Sequence, residues 1–267
     1  MKTPENIKAL ILDMDGVLWR GEEAIGDLPA IFDAIAQRDL KVTLATNNST
    51  RTPDAHLDKL ASFGVKLDIT QITTSSMALA ALIKETFPKG GELYIIGMDG
   101  LFEAVEAEGF RAFSGDELPE NPVAVVAGMD WEMDYQKIAN ASLFIQKGVP
   151  FYATNPDKTY PAPEGLMPGA GTLLAAIETA SGGTPIVAGK PGPYLFQLAM
   201  QKMGISPAET LMVGDRLETD VLGGQNARCK TALVLSGVTT RERGEAWHPK
   251  MDILAENLTE VLKVIKD

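Results

Sequence analysis

The sequence has one cysteine, no long apolar run and a shortage of positive charge, and each of these features excludes a class of protein. A single cysteine, Cys229, excludes a disulfide within the chain, which fits a reducing compartment. No apolar stretch reaches the roughly 18 to 20 residues that a membrane-spanning helix needs. The first residues, MKTPENIK, lack the pattern of a signal peptide. We therefore expect a soluble, cytoplasmic protein.

The charge balance restricts the partners of this chain. Its 267 residues carry 24 Lys and Arg against 36 Asp and Glu, a formal net charge of −12. Nucleic acids and anionic membrane surfaces select for stripes of Lys and Arg, so we expect neither as the main partner. A small phosphorylated substrate is compatible with this charge, because local cations and a metal ion can reverse the field inside one cleft.

Apolar runs of strand length alternate with amphipathic stretches of helix length. This alternation predicts an α/β protein with a Rossmann-like, doubly wound parallel sheet, whose strands are apolar throughout because both faces are buried. The runs that precede helical stretches are Ala9–Leu12, Val42–Ala45, Leu93–Ile96, Val123–Ala127, Ile186–Ala188 and Leu211–Val213. Because ligands bind beyond the carboxyl ends of the strands in such sheets, the residues after each run are candidates for a functional site.

Four of these runs end in polar or charged residues, whereas two end in the turn-like segments GMDG and GMDW. The polar ends lie near the N-terminus and after Gly189, and the turn-like ends lie between them. This division predicts two domains. We expect a core formed by residues 1–80 and 184–267, with an inserted second α/β domain at residues 81–183.

The first polar end is DMDG, where Asp13 and Asp15 follow the strand. Two neighbouring carboxylates repel each other, so the pair needs a cation or a shared proton. Mg²⁺ prefers oxygen ligands such as these, and a carboxylate can also act as a nucleophile. The alternative is a tight turn with two solvated acids. Trp19, which follows this turn, is expected either to line the cleft or to pack beneath a flap.

The next two polar ends are TNNST and GKP. Thr46, Asn47 and Asn48 offer hydroxyl, amide and backbone donors for phosphoryl oxygens at the start of a helix, although the same segment also fits plain helix capping. Lys190 has a charge suited to stabilising a phosphoryl group during transfer. The alternative for Lys190 is a solvated surface lysine.

The last polar end is VGDRLETD. Asp215 follows the strand directly and is the best candidate for a further metal ligand. Asp220 is predicted in the first turn or so of the next helix, where it would orient Arg216 or Lys190 or hold a metal-bound water. Acids at a helix start are also favoured by the helix dipole alone, so Asp220 has a simple structural alternative.

The ordered set DMDGV, TNNS, GKP and GDRLETD resembles the haloacid dehalogenase superfamily of phosphotransferases. The segments ATNPD, GAGTLLAAIETASG and LVLSGVTT resemble its class IIA branch, which includes NagD nucleotidases, p-nitrophenylphosphatases, phosphoglycolate phosphatases and chronophin. The resemblance covers nearly the whole chain. Members of this branch carry a large α/β cap after the second motif, which matches the insertion expected here.

The resemblance implies roles for the strand-end residues. Asp13 would be the nucleophile, and Asp15 the general acid that later acts as a base. Mg²⁺ would be bound by the Asp13 carboxylate, the Asp15 main-chain carbonyl and Asp215. The implied phosphate-binding residues are Thr46, Asn47, Asn48 and Lys190. The presence of Asp15 favours a phosphatase over a dehalogenase, since halide departure needs no proton donor.

In the expected cap, the segment NPDKTYPAPEG is the candidate specificity loop. Asn155, Asp157 and Tyr160 are its candidate substrate-contacting residues, and the alternative is a surface turn rich in Pro and Asp. The resemblance also implies a homodimer formed through the cap.

The expected function is that of a Mg²⁺-dependent phosphatase acting through an aspartyl phosphate. Its substrate would be a small phosphorylated metabolite: phosphoglycolate, a glycerol or sugar phosphate, a nucleotide or an aryl phosphate. Two alternatives are a phosphotransferase or mutase that uses the same aspartyl phosphate, and a non-catalytic phospho-acceptor module.

Overall fold

A computed structural model describes residues 4–162 and 165–265. Internal contacts divide the chain into two compact units. The core unit comprises the residues up to Thr46, Asp54–Thr73 and the chain from Lys190 onward, and the inserted unit comprises Asn47–Pro53 and Thr74–Gly189. The second unit thus begins before residue 81 and ends after residue 183, the limits expected for the cap from the sequence.

Strands and helices alternate along most of the described chain. In chain order the strands are β1 (Ala9–Leu12), β2 (Trp19–Arg20), β3 (Glu23–Ala24), β4 (Lys41–Thr46), β5 (Ile72–Thr74), β6 (Gly91–Ile96), β7 (Phe110–Phe113), β8 (Pro122–Ala127), β9 (Phe151–Ala153), β10 (Thr159–Ala162), β11 (Gly165–Pro168), β12 (Ile186–Val187), β13 (Thr210–Gly214), β14 (Lys230–Val234) and β15 (Ile253–Ala255). The helices are α1 (Leu28–Gln37), α2 (Pro53–Ser62), α3 (Ser75–Thr86), α4 (Asp99–Ala107), α5 (Tyr135–Gln146), α6 (Ala170–Ser181), α7 (Tyr194–Met203), α8 (Leu222–Asn226), α9 (Arg241–Ala246) and α10 (Leu258–Val264).

The core unit is organised around β1. Its six-stranded sheet has the order β15-β14-β13-β1-β4-β5, and the pairings from β15 to β4 are parallel. All four residues of β1 are fully buried, as its apolar sequence requires. The chain runs from β1 to β4 and β5 on one side and adds β13 to β15 on the other. This change of direction places the topological switch point at the carboxyl end of β1.

The inserted unit has its own parallel sheet, with the order β12-β9-β8-β6-β7. Apolar side chains of its central strands, such as Tyr94 and Val125, form one buried cluster with Leu174 and Ile177 of α6. Each unit therefore has a separate hydrophobic core. The predicted α/β class, with a parallel-sheet core and a second α/β region, is confirmed.

One predicted helix differs from the structure. The sequence pattern indicates a helix over Leu217–Ala227, but Leu217–Val221 form a π-helical turn that precedes α8. The wider turn brings the amides of Asp220 and Val221 onto the carbonyl of Arg216, at 3.1 Å each. Such turns occur frequently at functional sites.

Two further observations concern the single cysteine and the absence of long apolar runs. Cys229 is buried, and its sulfur lies 3.6 Å from the sulfur of Met200. Among the described residues, none of the helices combines the length and the apolar composition required to cross a bilayer.

Candidate active site

The carboxyl ends of β1 and β13 bring two acidic residues to the same edge of the core sheet. Leu12 pairs with Val213, and the amide of Asp13 donates to the carbonyl of Val213 at 2.9 Å. Asp215 follows Gly214, the last residue of β13. Because parallel neighbours end at one edge, Asp13 and Asp215 lie in one cluster although they are far apart in the sequence.

Lys190 is a buried cation at this edge. Its side chain is 3% exposed, and its ammonium lies 2.5 Å from Asp13 Oδ1 and 2.7 Å from Asp220 Oδ1. It also donates to the carbonyl of Ala45 in β4, at 3.2 Å. A buried ammonium is costly unless its donors are used, and these three acceptors match its three protons. The alternative of a surface lysine therefore does not apply to Lys190.

Asp220 orients Lys190. One carboxylate oxygen accepts from Lys190, and the other accepts from the amide of Arg216 at 3.0 Å. The side chain can pack here because Gly214 has none: a Cβ at Gly214 would lie 2.2 Å from Asp220 Cβ. Of the two partners expected for Asp220, the structure shows an ionic contact with Lys190 and a bond to the backbone of Arg216.

Asp215 is held so that one oxygen is left for a ligand. Its Oδ2 accepts from the amide of Val238 at 2.8 Å, in a loop where a Cβ at Gly237 would lie 1.9 Å from that same oxygen. Asp215 Oδ1 is buried and has no hydrogen-bond partner among the residues that the structure describes. Buried polar atoms of this kind are usually satisfied by water or by an ion, and a cation would suit a carboxylate oxygen.

The donor set fits Mg²⁺. Carboxylate oxygens of Asp13, Asp215 and Asp220 all lie within 4.8 Å of one another. Both oxygens of Asp220 already accept hydrogen bonds, so Asp13 and Asp215 are the carboxylates better placed to bind the ion. Mg²⁺ is commonly bound by one or two carboxylates together with water and substrate phosphate.

The electrostatics of the cluster favour a divalent cation. Burial raises the pKa of Asp13 well above its ordinary value, with the Asp220 and Asp215 carboxylates adding to this and Lys190 opposing it. Burial and the nearby Asp220 raise the pKa of Asp215 to about 6. Burial disfavours the charged form of Lys190, but attraction to Asp13 and Asp220 outweighs it and raises the pKa of Lys190. Three carboxylates thus share one ammonium, and a metal ion would relieve their repulsion.

Asp15 lies in the turn after β1. Unlike Asp13, it is exposed, and its Oδ1 accepts from the indole nitrogen of Trp19 at 2.9 Å. The turn depends on Gly16, whose φ is +82° and whose amide donates to the carbonyl of Trp19 at 2.7 Å. The structure therefore separates the two acids of the DMDG motif into one buried and one exposed carboxylate.

The phosphate-binding candidates fall in both units. Thr46 is the last residue of β4 and is buried in the core unit, whereas Asn47 and Asn48 belong to the inserted unit. The carbonyl oxygen of the Asn48 side chain accepts from both the amide and the hydroxyl of Thr50, at 2.9 and 2.8 Å. Asn48 therefore shapes its own turn.

Asn47 is the centre of a hydrogen-bond network within the inserted unit. Its backbone carbonyl accepts from Asn155 Nδ2 and from Ser75 Oγ, both at 2.8 Å. Its side-chain amide donates to Asp157 Oδ2 at 3.0 Å. Two of the three candidate specificity residues, Asn155 and Asp157, thus contact Asn47. The third, Tyr160, lies in β10 opposite Met167 of β11.

Sequence reasoning missed the residues that support these side chains. It gave no supporting role to Ser75, Gly237 or Val238, and it left Trp19 between a lining and a packing role. For Gly237 and Val238 the available signal was the position of LVLSGVTT across the end of β14, and for Ser75 it was the end of β5, both further strand ends of the core sheet.

Comparisons with known proteins identify the family of this chain. Residues 10–111 match haloacid dehalogenase-like hydrolases, and residues 187–261 match a family described as HAD-hydrolase-like. A 5′-nucleotidase from Bacillus subtilis, YutF, is 36% identical over 258 residues, which is 97% of this chain and 98% of that protein.

Two solved structures are similar over nearly the whole chain. A 4-nitrophenylphosphatase from Thermotoga maritima has a TM-score of 0.91 and 31% identity, with 100% of both chains covered. A glycerol phosphate phosphatase from Mycobacterium tuberculosis, solved in complex with magnesium, has a TM-score of 0.88 and 30% identity, covering 96% of this chain and 77% of that one.

Proposed function

Since the chain belongs to the haloacid dehalogenase-like hydrolases and is a phosphatase of that family, we propose that it cleaves small phosphate monoesters through an aspartyl phosphate on Asp13. The observation that carries this proposal is the buried contact of Lys190 with Asp13 at 2.5 Å. A nucleophilic carboxylate must approach a phosphate dianion, and a fixed ammonium beside it reduces their repulsion.

Each core residue has a distinct task in the proposed reaction. Asp13 attacks the phosphorus atom, and Lys190 stabilises the charge on the attacking carboxylate and on the phosphoryl oxygens. Asp15 gives a proton to the leaving oxygen and then takes one from the attacking water. Asp220 positions Lys190, with Arg216 supporting Asp220 through its backbone amide.

We propose Mg²⁺ as the cofactor, held by the carboxylates of Asp13 and Asp215 and by the main-chain carbonyl of Asp15. Asp215 Oδ1, which has no protein partner in the described chain, supports this choice. When bound, the ion supplies electrostatic stabilisation of the phosphoryl oxygens. The magnesium in the mycobacterial relative agrees with this proposal.

We propose that Thr46, Asn47 and Asn48 bind the phosphoryl group together with Lys190. Thr46 and Asn47 are consecutive residues at the end of β4, where backbone amides and short polar side chains suit an anion. The inserted unit would supply selectivity for the leaving group, through its segment from Asn155 to Tyr160. The names of the relatives, which include a nucleotidase and a glycerol phosphate phosphatase, indicate that leaving groups differ within the family.

The test is hydrolysis of a panel of phosphate monoesters by the full chain, with Mg²⁺ and with EDTA. The panel contains phosphoglycolate, glycerol phosphate, sugar phosphates, nucleoside monophosphates and p-nitrophenyl phosphate. We expect Mg²⁺-dependent release of phosphate and, after rapid acid quench, a transient phosphoprotein. Full activity in EDTA would contradict the metal proposal.

Other outcomes would indicate the alternative functions. Phosphoryl transfer to an added sugar in preference to water would indicate a phosphotransferase or mutase. A phosphoprotein that persists for minutes without turnover would indicate a phospho-acceptor module.

We also propose that the protein is cytoplasmic and forms a homodimer through the inserted unit. Size-exclusion chromatography with light scattering would test the dimer.

A further inference from the structure

The turn after β1 joins the exposed acid to a buried aromatic residue. Trp19 Nε1 donates to Asp15 Oδ1 at 2.9 Å, four residues along the chain. The turn between them is closed by backbone bonds from Val17 and Leu18 to the carbonyl of Met14, at 3.3 and 2.9 Å. The position of the indole relative to Asp15 is therefore fixed by the backbone as well as by the side chains.

Trp19 itself is held firmly. It is 2% exposed, and its ring stacks on Phe63 with a centroid distance of 5.8 Å and an interplanar angle of 25°. The ammonium of Lys59 lies over the Trp19 ring, 4.8 Å from its centroid, and it also donates to the carbonyl of Gly21 at 2.7 Å. A ring packed in this way presents its single N–H in one direction.

Asp15, in contrast to Trp19, is exposed and is not held by packing. An exposed carboxylate with no fixed partner rotates among its staggered side-chain conformers, and only some of these would direct an oxygen at a leaving group. The indole bond selects one conformer and occupies Oδ1. The second oxygen, Oδ2, then has a defined direction.

We propose that Trp19 is a positioning residue for proton transfer: its indole N–H holds Oδ1 of Asp15 so that Oδ2 carries the proton. This inference rests on the proposed function, because it gives Trp19 a task only if Asp15 is the acid and base of a phosphatase. Of the two sequence-based alternatives for Trp19, its burial is in line with packing, and the inference adds the positioning of Asp15 to that role.

The protons in both steps of the proposed reaction are transferred by Asp15 and not by Trp19. As a bond forms between Asp13 and phosphorus and the ester P–O bond breaks, the proton on Asp15 Oδ2 passes to the leaving oxygen. Water then attacks phosphorus, its proton passes to Asp15 Oδ2, and the bond between Asp13 and phosphorus breaks. The indole proton is transferred in neither step, so Trp19 acts only through Asp15.

The test is the dependence of activity on the leaving group in Trp19→Phe. Phenylalanine keeps an aromatic ring and lacks the N–H. An alkyl alkoxide is a poor leaving group and needs the proton, whereas p-nitrophenolate departs readily as an anion. We expect kcat/KM to fall about 100-fold for an alkyl phosphate and less than about threefold for p-nitrophenyl phosphate. The ratio kcat/KM is used because it reports the first phosphoryl transfer, before the hydrolysis step common to all substrates.

Two variants separate positioning from packing. Phe63→Leu weakens the stacking on Trp19 but keeps the N–H, so we expect a lower melting temperature with both substrates affected to the same degree. In an Asp15→Asn background, Trp19→Phe should add no further dependence on the leaving group. An equal loss for both substrates in Trp19→Phe, or no loss, would overturn the inference.

A second measurement depends neither on turnover nor on whether Trp19→Phe folds. The indole ¹⁵N–¹H resonance of Trp19 in the full chain should shift upfield in Asp15→Ala, which changes only an exposed side chain. An unchanged resonance would overturn the inference. Failure of the wild-type protein to hydrolyse either substrate would instead refute the proposed function, so the two failures are distinguishable.

Discussion

The core and inserted units share one architecture, a parallel sheet with helices, but they carry different groups at the ends of their strands. In the core unit, buried charged groups meet: Lys190 contacts both Asp13 and Asp220, and Asp215 lies beside them. In the inserted unit, amide, hydroxyl and carboxylate groups hold a loop, as Asn155, Ser75 and Asp157 do around Asn47. The acidic cluster of the core unit has a net negative charge, which a bound cation would neutralise. The polar groups around Asn47 in the inserted unit instead hydrogen-bond to one another.

The largest expected effect is at the nucleophile. Asp13→Asn keeps the shape of the side chain but removes the attacking carboxylate, so we expect kcat to fall by about 10⁴-fold or more. Initial rates on p-nitrophenyl phosphate measure the loss, and thermal unfolding should show that the fold is retained. Near wild-type turnover would mean that the chemistry does not reside in the core cluster.

A pair of lysine variants sharpens the comparison between the units. Lys190→Met leaves Asp13 and Asp220 without their buried partner, so we expect about 10³-fold lower kcat/KM and a loss of about 3 kcal/mol in unfolding free energy. The matched control is Lys137→Met, which breaks the contact with the buried Asp130 at 2.8 Å in the inserted unit. The control should be destabilised in denaturant titrations but stay within a few-fold of wild-type activity. Similar activity losses in both variants would mean that the buried lysines of the two units do not differ in their importance for catalysis.

The third prediction concerns metal and pH. The pKa of Asp215, about 6 in the metal-free fold, exceeds its unfolded value of about 3.9, so the folded state binds this proton more tightly. The stability from this proton is fully present below about pH 4 and is lost as pH rises through about 6. Mg²⁺ should therefore raise the melting temperature more at pH 7.5 than at pH 5. Scanning calorimetry with and without Mg²⁺ measures this, and Asp215→Asn should show a smaller metal effect at both pH values.

The smallest expected effect is in the inserted unit. Asp157→Ala removes the acceptor for the Asn47 side chain, so we expect about tenfold weaker binding of inorganic phosphate in the presence of Mg²⁺. Asp157→Asn keeps an acceptor oxygen and should recover part of the loss. Thr172→Val is the control, because it removes a bond of 2.7 Å to the carbonyl of Lys158 in the same segment without involving Asn47.

Titration calorimetry with phosphate measures these affinities directly. A ligand without a leaving group is informative here, since a residue that contacts only the leaving group would not affect its binding. Unchanged phosphate affinity in Asp157→Ala, together with a new order of preferred substrates, would assign Asp157 to selectivity.

The sequence predicts the fold and the strand ends well because both depend on local patterns. Apolar runs and their spacing indicate β1 and β13, and parallel pairing then places Asp13 and Asp215 at one edge. Lys190 does not follow from this pairing, because β12, the strand that precedes it, belongs to the sheet of the inserted unit. The roles of these residues in catalysis stay predictions, to be decided by the variants above.

Contacts between distant side chains were not predictable in this way. Asn47 and Asp157 are 110 positions apart, and no periodicity relates them. Lys190 was one of the partners expected for Asp220, but the π-helical turn that carries Asp220 stands where the pattern indicates an ordinary helix. The bond from Trp19 to Asp15 depends on a turn geometry that DMDG alone does not specify.

The buried cysteine has a practical consequence for these experiments. Burial raises the pKa of Cys229 to about 12, so at neutral pH its sulfur stays protonated and reacts poorly with alkylating dyes. Towards a maleimide the folded chain should therefore behave almost as if it contained no cysteine. A thiol introduced on the surface of either unit can then be labelled selectively without first replacing the native one, and the fluorophore would report on that unit alone.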